Sequence, residues 1–272
     1  MLYLVTTPIG NLKDITQRAL EVLGDSDVIL CEDTRHSSIL LKHHGIQKPL
    51  KSYHKFSESK RENEVISLLR EGKTISLISD AGTPCICDPG ERLVQKCIEE
   101  GISVTPIPGP CALIHALVGS GLRTTPFQFV GFLPKKRGQL QETLLDILTY
   151  EGTTICYESP HRIKKVLELM AQLDPEREVV IARELTKKFE EFIRGPAQDI
   201  VEQSNFKGEI VLLIDQCRHD MWESLSLEQH LKMLQDTFQV SQKEAIKILA
   251  KIRPIPKKEI YNKFMKSNQK YS

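Results

Sequence analysis

Side chains able to do chemistry fall in six short clusters. They are Thr7-Pro8-Ile9-Gly10-Asn11, Glu32-Asp33-Thr34-Arg35-His36, Ser79-Asp80-Ala81-Gly82-Thr83-Pro84, Pro108-Gly109-Pro110-Cys111, Tyr157-Glu158-Ser159-Pro160-His161-Arg162 and Ala182-Arg183-Glu184-Leu185-Thr186-Lys187. Together they hold the carboxylates Glu32, Asp33, Asp80, Glu158 and Glu184 beside the cations Arg35, Arg162, Arg183 and Lys187. Such a mixture serves proton transfer and suits a ligand that is itself zwitterionic or cationic. No metal signature accompanies it. Cys85-Ile86-Cys87 is too tight for a zinc pair, and neither H-E-x-x-H nor G-x-S-x-G occurs. Gly72-Lys73-Thr74 has the end of a phosphate-binding loop, but position 67 is Ser and the segment joins helix to strand, the reverse of what that loop needs.

Elements must bring these clusters together. Leu2–Val5, Val28–Cys31, Thr74–Ile78 and Ser103–Ile107 read as short, nearly all-apolar strands, separated by amphipathic helical stretches. Asp14 is expected to cap the first helix, Gly45 to end the second, and Pro89 to open one that stops near Gly101. Strands alternating with helices predict a parallel sheet covered on both faces, with ligands bound beyond the strand carboxyl ends. Four of the clusters follow those strands. A second α/β run comprises strand Thr153–Tyr157, helix Ile163–Leu173, strand Glu178–Ala182, a hairpin strand near Phe189–Arg194 and strand Glu209–Ile214. Pro134-Lys135-Lys136-Arg137-Gly138 punctuates the pattern and reads as a junction. After about Asp220 only helical patterns remain, and Ser241-Gln242-Lys243-Glu244 has the spacing of a capping box. The expected organisation is two α/β domains, 1–118 and 119–218, followed by a helical domain at 219–272.

Net charge is +1 over 272 residues, which at first sight disfavours a polyanionic partner. The average hides an asymmetry. From Lys243 to Lys270 there are nine Lys/Arg and two Asp/Glu, a net of +7, leaving −6 on the rest. Lys243, Lys247 and Lys251 stripe one side of the second tail helix, either as a solvated face or as an RNA contact. No apolar run approaches the ~18 residues of a membrane span, and Met1–Pro8, without a basic stretch or a long apolar one, is not expected to act as a secretion signal. The seven cysteines are expected to be free thiols of a cytoplasmic protein.

The clusters, with Ser52-Tyr53-His54 and Lys207-Gly208-Glu209, resemble the tetrapyrrole-methylase superfamily of S-adenosylmethionine-dependent enzymes. Within it, the pattern is most similar to the bacterial small-subunit ribosomal RNA 2′-O-ribose methyltransferases, in family order over about residues 1–215. In two loops the family has Ser where this chain has Cys111 and Cys87.

The resemblance implies two α/β domains with S-adenosylmethionine in a cleft between them, a homodimer, and a cytidine ribose in the decoding region as acceptor, on free RNA or the assembled small subunit. Carried onto this chain, cofactor contacts fall at Pro8, Asp80, Ala81, Gly82, Cys111, Ala112, Tyr157, Ala182 and Gly208. A poor hydroxyl nucleophile needs a base or a cation beside it, and Glu32, His54, Glu184 and Lys187 are the candidates. Arg35, Arg162 and Arg183 would hold phosphates or carboxylates, and Lys243, Lys247 and Lys251 the RNA. Plainer readings stand beside these: Arg183 and Glu184 as a simple ion pair, His54 as an exposed loop residue, His161-Arg162 as helix-start chemistry. Two other functions stay open, a porphyrinoid C-methyltransferase and a non-catalytic ribosome assembly factor. If the basic tail is part of an RNA footprint, truncation after about Asp220 will weaken RNA binding and flatten its salt dependence while leaving S-adenosylmethionine affinity unchanged. An unaltered salt slope would remove the tail from the footprint.

Overall fold

The computed structural model describes residues 1–54, 58–202, 206–217, 225–253 and 255–265. The chain divides into two compact units, one of residues 1–116 with 184–191, the other of residues 117–183 with 192–272. The excursion 184–191 belongs with the first unit, and the described tail helices group with the second rather than apart.

In the first unit the strands are β1 (Leu2–Val5), β2 (Val28–Cys31), β3 (Leu50–Ser52), β4 (Ile75–Leu77) and β5 (Val104–Ile107). They form one sheet in the order β3-β2-β4-β1-β5, every pair parallel. Helices α1 (Gln17–Asp25), α2 (Thr34–His43), α3 (Glu58–Arg70) and α4 (Glu91–Glu99) connect them, and α5 (Ala112–Ser120) follows. Alternate side chains of a strand face opposite ways. Leu30 accordingly packs with Val65, Leu69, Leu93 and Cys97 of α3 and α4, while its neighbours Ile29 and Cys31 pack with Ala19, Leu23 and Leu41 of α1 and α2. Both faces are therefore covered, as the apolar runs predict. Two helix starts differ from expectation. Thr16 caps α1, its hydroxyl accepting from the Ala19 amide, because Asp14 is taken up in a short 3-10 turn. At α4 the cap is Gly90, with φ of 129°, where a Cβ would lie 2.5 Å from Leu77 Cδ2.

The second unit holds β6 (Phe127–Phe132), α6 (Arg137–Leu148), β7 (Thr153–Glu158), α7 (Ile163–Leu173), β8 (Glu178–Arg183), β9 (Glu191–Pro196), α8 (Ala197–Val201) and β10 (Ile210–Ile214). Its sheet runs β6-β7-β10-β8-β9. β6 and β7 are parallel, and β10 is antiparallel to both β7 and β8. Pro134–Gly138 is thus no domain junction but the end of the β6–α6 loop and the first two residues of α6. At the base of this unit Arg177 is completely buried. Its guanidinium donates to Asp174 Oδ2 at 2.6 Å and to the carbonyls of Leu148, Asp215 and Gln216 at 3.1, 3.0 and 2.5 Å.

The tail helices are α9 (Leu227–Phe238), α10 (Gln242–Ile252) and α11 (Lys257–Met265). Capping boxes open α9 at Ser226/Gln229 and α10 at Ser241/Glu244, the second as the sequence predicts. Leu231, Leu234, Ala245, Ile246, Leu249 and Ile260 join the same apolar cluster as the second sheet. His230 is buried beneath them, its Nδ1 accepting from Arg253 Nε at 3.2 Å. Burial, with the Arg253 charge, pulls its pKa down to about 4.

Two stability outcomes follow from these buried groups. Arg177→Ala leaves a carboxylate and three carbonyls without their donor, and urea denaturation should show a loss of about 3–5 kcal/mol. Replacing both partners, as Arg177→Met with Asp174→Leu, should cost less than the single change. For His230, the unfolded chain takes up a proton near pH 6.5 that the folded chain refuses until about pH 4. Stability should therefore fall as pH drops through that window, and His230→Gln should flatten the fall; a parallel pH profile for the variant would refute the assignment.

Candidate active site

The carboxyl edge of the first sheet gathers the polar clusters. Beyond β1, Thr7 and Gly82 form an antiparallel bridge, Thr7 N donating to Gly82 O at 2.9 Å and Gly82 N returning to Thr7 O at 3.1 Å. The Thr7 hydroxyl donates to Ser79 O at 3.2 Å, and that of Ser79 to Gly82 O at 3.1 Å. Gly82 has φ of +79°, and a Cβ there would lie 3.3 Å from Ile9 Cγ2. Pro8 and Asp80 are thereby brought side by side, lining a hollow with Thr7, Leu12, His36, Ser37 and Leu40. Ala81 lies exposed at the turn between Asp80 and Gly82. Beyond β5, Gly109 passes so close to the first strand that a Cβ would sit 2.9 Å from Thr6 Cβ. Cys111 and Ala112 come next, Ala112 opening α5, and the Cys111 amide and carbonyl both meet His115 Nδ1.

Beyond β2, the Asp80 carboxylate accepts from the Asp33 amide at 3.2 Å. Asp33 caps α2, accepting from the Arg35 amide at 2.8 Å, and its second oxygen pairs with the Arg35 guanidinium at 3.0 Å. That pairing and the amide bonds hold the Asp33 carboxyl down near about 2. Arg35, predicted to touch substrate, already has a carboxylate partner, although its side chain is 90% exposed. Glu32 is half-buried beside it.

Asp88 escaped the sequence reading altogether. Burial, then repulsion from Glu32 and, more weakly, from Asp80, against a hydrogen bond from Ser79, raises its carboxyl to about 6. The loop reaches it through Cys85 and Cys87 in left-handed conformations, φ of 70° and 65°. Two β-carbon-bearing residues held that way are strained, at about 1–3 kcal/mol each, which is more common at functional sites than elsewhere. None of the seven cysteines forms a disulfide, and burial lifts the Cys85 thiol to about 11.

The excursion 184–191 carries the other proton-transfer candidates. Lys187 Nζ lies 3.0 Å from Glu184 Oε1, and Glu184 and Thr186 are also left-handed, φ of 51° and 66°. This turn seats on Gly10, where a Cβ would be 2.6 Å from Lys187 Cγ and 2.8 Å from Thr186 Oγ1. His54 is half-buried at the end of the β3 segment; its carbonyl accepts the Glu58 amide at 3.0 Å, and residues 55–57 lie outside the described residues. The neighbouring Tyr53 is wholly buried, its hydroxyl donating to Glu58 at 3.4 Å.

In the second unit, Val211 of β10 pairs with Tyr157 on one side and Ala182 on the other, and Gly208, with φ of +82°, leads into that strand. Three predicted cofactor positions thus share one edge of the second sheet. Tyr157 packs edge-on against Phe129 and Phe132, ring centroids 5.0 and 5.7 Å away. Arg183 donates to Lys207 O at 3.5 Å. Arg162 is held by the chain itself, donating to Leu133 O at 3.1 Å and Pro134 O at 2.8 Å beside the buried carboxylate of Glu158, 3.5 Å away. Burial raises the pKa of Glu158 despite the Ser159 amide and the Arg162 charge. In α10, Lys243 and Lys247 are exposed, while the side chain of Lys251 lies outside the described residues.

Comparison with known proteins matches this arrangement. Residues 1–201 match the tetrapyrrole (corrin/porphyrin) methylases as a family. Among curated relatives, the ribosomal RNA small subunit methyltransferase I of Halalkalibacterium halodurans is 44% identical over 270 residues, covering 96% of this chain and 93% of its own. The protein of the same name from Hydrogenobaculum is 50% identical over 220 residues, covering 78% and 94%. Among solved structures, the uroporphyrin-III C-methyltransferase of Thermus thermophilus complexed with S-adenosylhomocysteine aligns with a TM-score of 0.56 at 17% identity, over 79% of this chain and 96% of that one. At that identity the likeness speaks for the fold alone. On the profile match and the near full-length relatives together, the chain belongs to the tetrapyrrole (corrin/porphyrin) methylase family, grouped with the ribosomal RNA small subunit methyltransferase I proteins.

Proposed function

We propose that the protein transfers a methyl group from S-adenosylmethionine to the ribose 2′-hydroxyl of a cytidine in the decoding region of small-subunit ribosomal RNA. The observation that carries the reading is the 44% identity to a small-subunit ribosomal RNA methyltransferase across nearly the whole of both chains. The first unit's residues fit the cofactor. Gly82 and Gly109 let their loops close on Ile9 and Thr6, which fixes the strand-end turns, and the carboxylates of Glu32, Asp80 and Asp88 favour a positive ligand. S-Adenosylmethionine supplies an electrophilic methyl on a cationic sulfur that becomes neutral on transfer.

The chain's own residues have to position the acceptor, exclude water and take its proton. Glu184 accepts that proton in our reading. Lys187, 3.0 Å away, orients the carboxylate and steadies the developing negative charge on the ribose oxygen. The strained turn on Gly10 gives the pair a fixed seat. The exposed lysines of α10 and α11 hold phosphates. We further infer a cytoplasmic homodimer. Val118 and Phe132, 70% and 59% exposed, support a second copy as partner, and none of the described helices is long and apolar enough to cross a membrane. Light scattering reads the oligomeric state.

Asp80→Asn keeps the shape of the loop and removes one negative charge. Calorimetry should show S-adenosylmethionine binding weakened about tenfold, or about 1.4 kcal/mol, with S-adenosylhomocysteine, which lacks the sulfonium charge, affected less. Equal losses for both ligands would contradict a role for Asp80 toward the sulfonium. The activity itself is read by mass mapping of small-subunit ribosomal RNA from a deletion strain, where one decoding-region ribose methyl should be missing; its persistence would refute the function.

A further inference from the structure

The β6–α6 loop and the first residue of α6 place Lys135, Lys136 and Arg137 in sequence, all exposed. Because β6 and β7 are parallel neighbours, with Phe132 opposite Tyr157, their carboxyl ends emerge side by side. The β7–α7 connection adds Lys164 and Lys165, also exposed, in the first turn of α7. None of these five cations forms an ion pair among the described residues. The two loops are joined rigidly by Arg162, whose guanidinium bonds the carbonyls of Leu133 and Pro134 and rests on the buried carboxylate of Glu158.

The placement has a local cost. Helix N-termini carry partial positive charge, so acidic residues belong there and cations do not. Among the described residues, helices α3, α4, α8, α9, α10 and α11 have Asp or Glu in the first turn. α6 and α7 have none, a lack shared with α1, α2 and α5, and neither has a side-chain cap, as is also true of α4 and α8; what sets α6 and α7 apart is that exposed cations from both gather at adjoining loops. A rigid framework that crowds cations where the helices disfavour them calls for a polyanion to offset the repulsion.

We propose that this surface, built on the β6–α6 and β7–α7 loops, is a second contact for the RNA phosphate backbone, separate from the basic tail. The inference rests on the RNA-methyltransferase reading. Flexible lysines acting as point charges give sequence-independent hold, which fixes the register of the strand while other groups select the nucleotide. Arg162 is then a positioning residue: it shapes the loop that presents the cations.

The test uses the full-length Lys135→Gln/Lys136→Gln/Arg137→Gln variant, with small ribosomal subunits from a deletion strain, and the RNA extracted from them, as probes. If each cation meets a phosphate, the slope of log affinity against log salt should become shallower by roughly 2–3, and affinity near 0.1 M salt should fall roughly a hundredfold. Lys164→Gln/Lys165→Gln should move the slope the same way by a smaller step. S-Adenosylmethionine affinity should stay unchanged and the melting temperature should hold or rise, since the helix start is relieved. A control removing equal charge at Arg18, Lys42 and Lys73 should leave the slope near wild type. An unchanged slope in the loop variant, or an equal change in the control, overturns the proposal. So does a loss confined to anionic phospholipid vesicles, which would assign the surface to a membrane. A wild-type protein that binds S-adenosylmethionine but methylates no ribosomal RNA refutes the functional reading itself, a result distinct from a failed loop variant.

Discussion

A parallel sheet buried on both faces can do chemistry only at its ends. Leu30 faces α3 and α4 while Ile29 and Cys31 face α1 and α2, so there is no room along β2 for an unsatisfied polar group. Parallel pairing then sends every strand's first polar residues to the same edge. Thr7, Glu32, Asp80 and Gly109 meet there for that reason alone, although up to about a hundred residues separate them in sequence. The Thr7–Gly82 bridge fastens two of these loops to each other, and the Asp33 amide on Asp80 fastens a third. Position at this edge is set by backbone hydrogen bonds, which a reaction depending on alignment requires.

This logic is why so much was legible in the sequence. Short apolar runs bounded by Gly, Pro and polar residues locate β1, β2, β4, β5, β7, β8 and β10, and the edge rule converts their ends into candidate site residues. What stayed hidden depends on contacts between distant segments. β3 is three half-buried residues, too short to show a period. β6 contains Gly131 with φ of 66° and a register shift between Phe129 and Phe132, so it does not alternate regularly. Asp88 lies at the far end of a loop whose left-handed cysteines turn it back toward Glu32, and no propensity forecasts a Cys with positive φ. Arg162 looks like a ligand-binding cation until its hydrogen bonds to two backbone carbonyls are seen.

Charge illustrates the same limit. Linear counting separates a tail of +7 from a remainder of −6, and that contrast is visible without coordinates. It gives no hint that cations from Lys135–Arg137 and Lys164–Lys165 stand together, because twenty-six positions lie between Arg137 and Lys164 and only the parallel pairing of β6 with β7 closes the gap. The remainder is acidic on average and yet holds a positive surface. For a polyanion, local field matters more than the sum, since screening confines each charge's reach to about 8 Å at physiological salt.

The site and the basic loops are alike in being locally unfavourable. At the first sheet's edge, burial, with added repulsion from Glu32 and Asp80, lifts the Asp88 carboxyl to about 6, and four β-carbon-bearing residues hold left-handed backbones nearby in sequence or space. At the β6–α6 and β7–α7 loops, cations gather at the wrong end of two helices. Either arrangement would be relieved cheaply by substitution: an Asn for one carboxylate, a Glu for one lysine. Each is relieved equally well by a ligand of opposite charge, a cation in the first case and a phosphate chain in the second. The two signs of repulsion therefore match the two charged species a methyl transfer to RNA must bring together, a sulfonium and a polyanion.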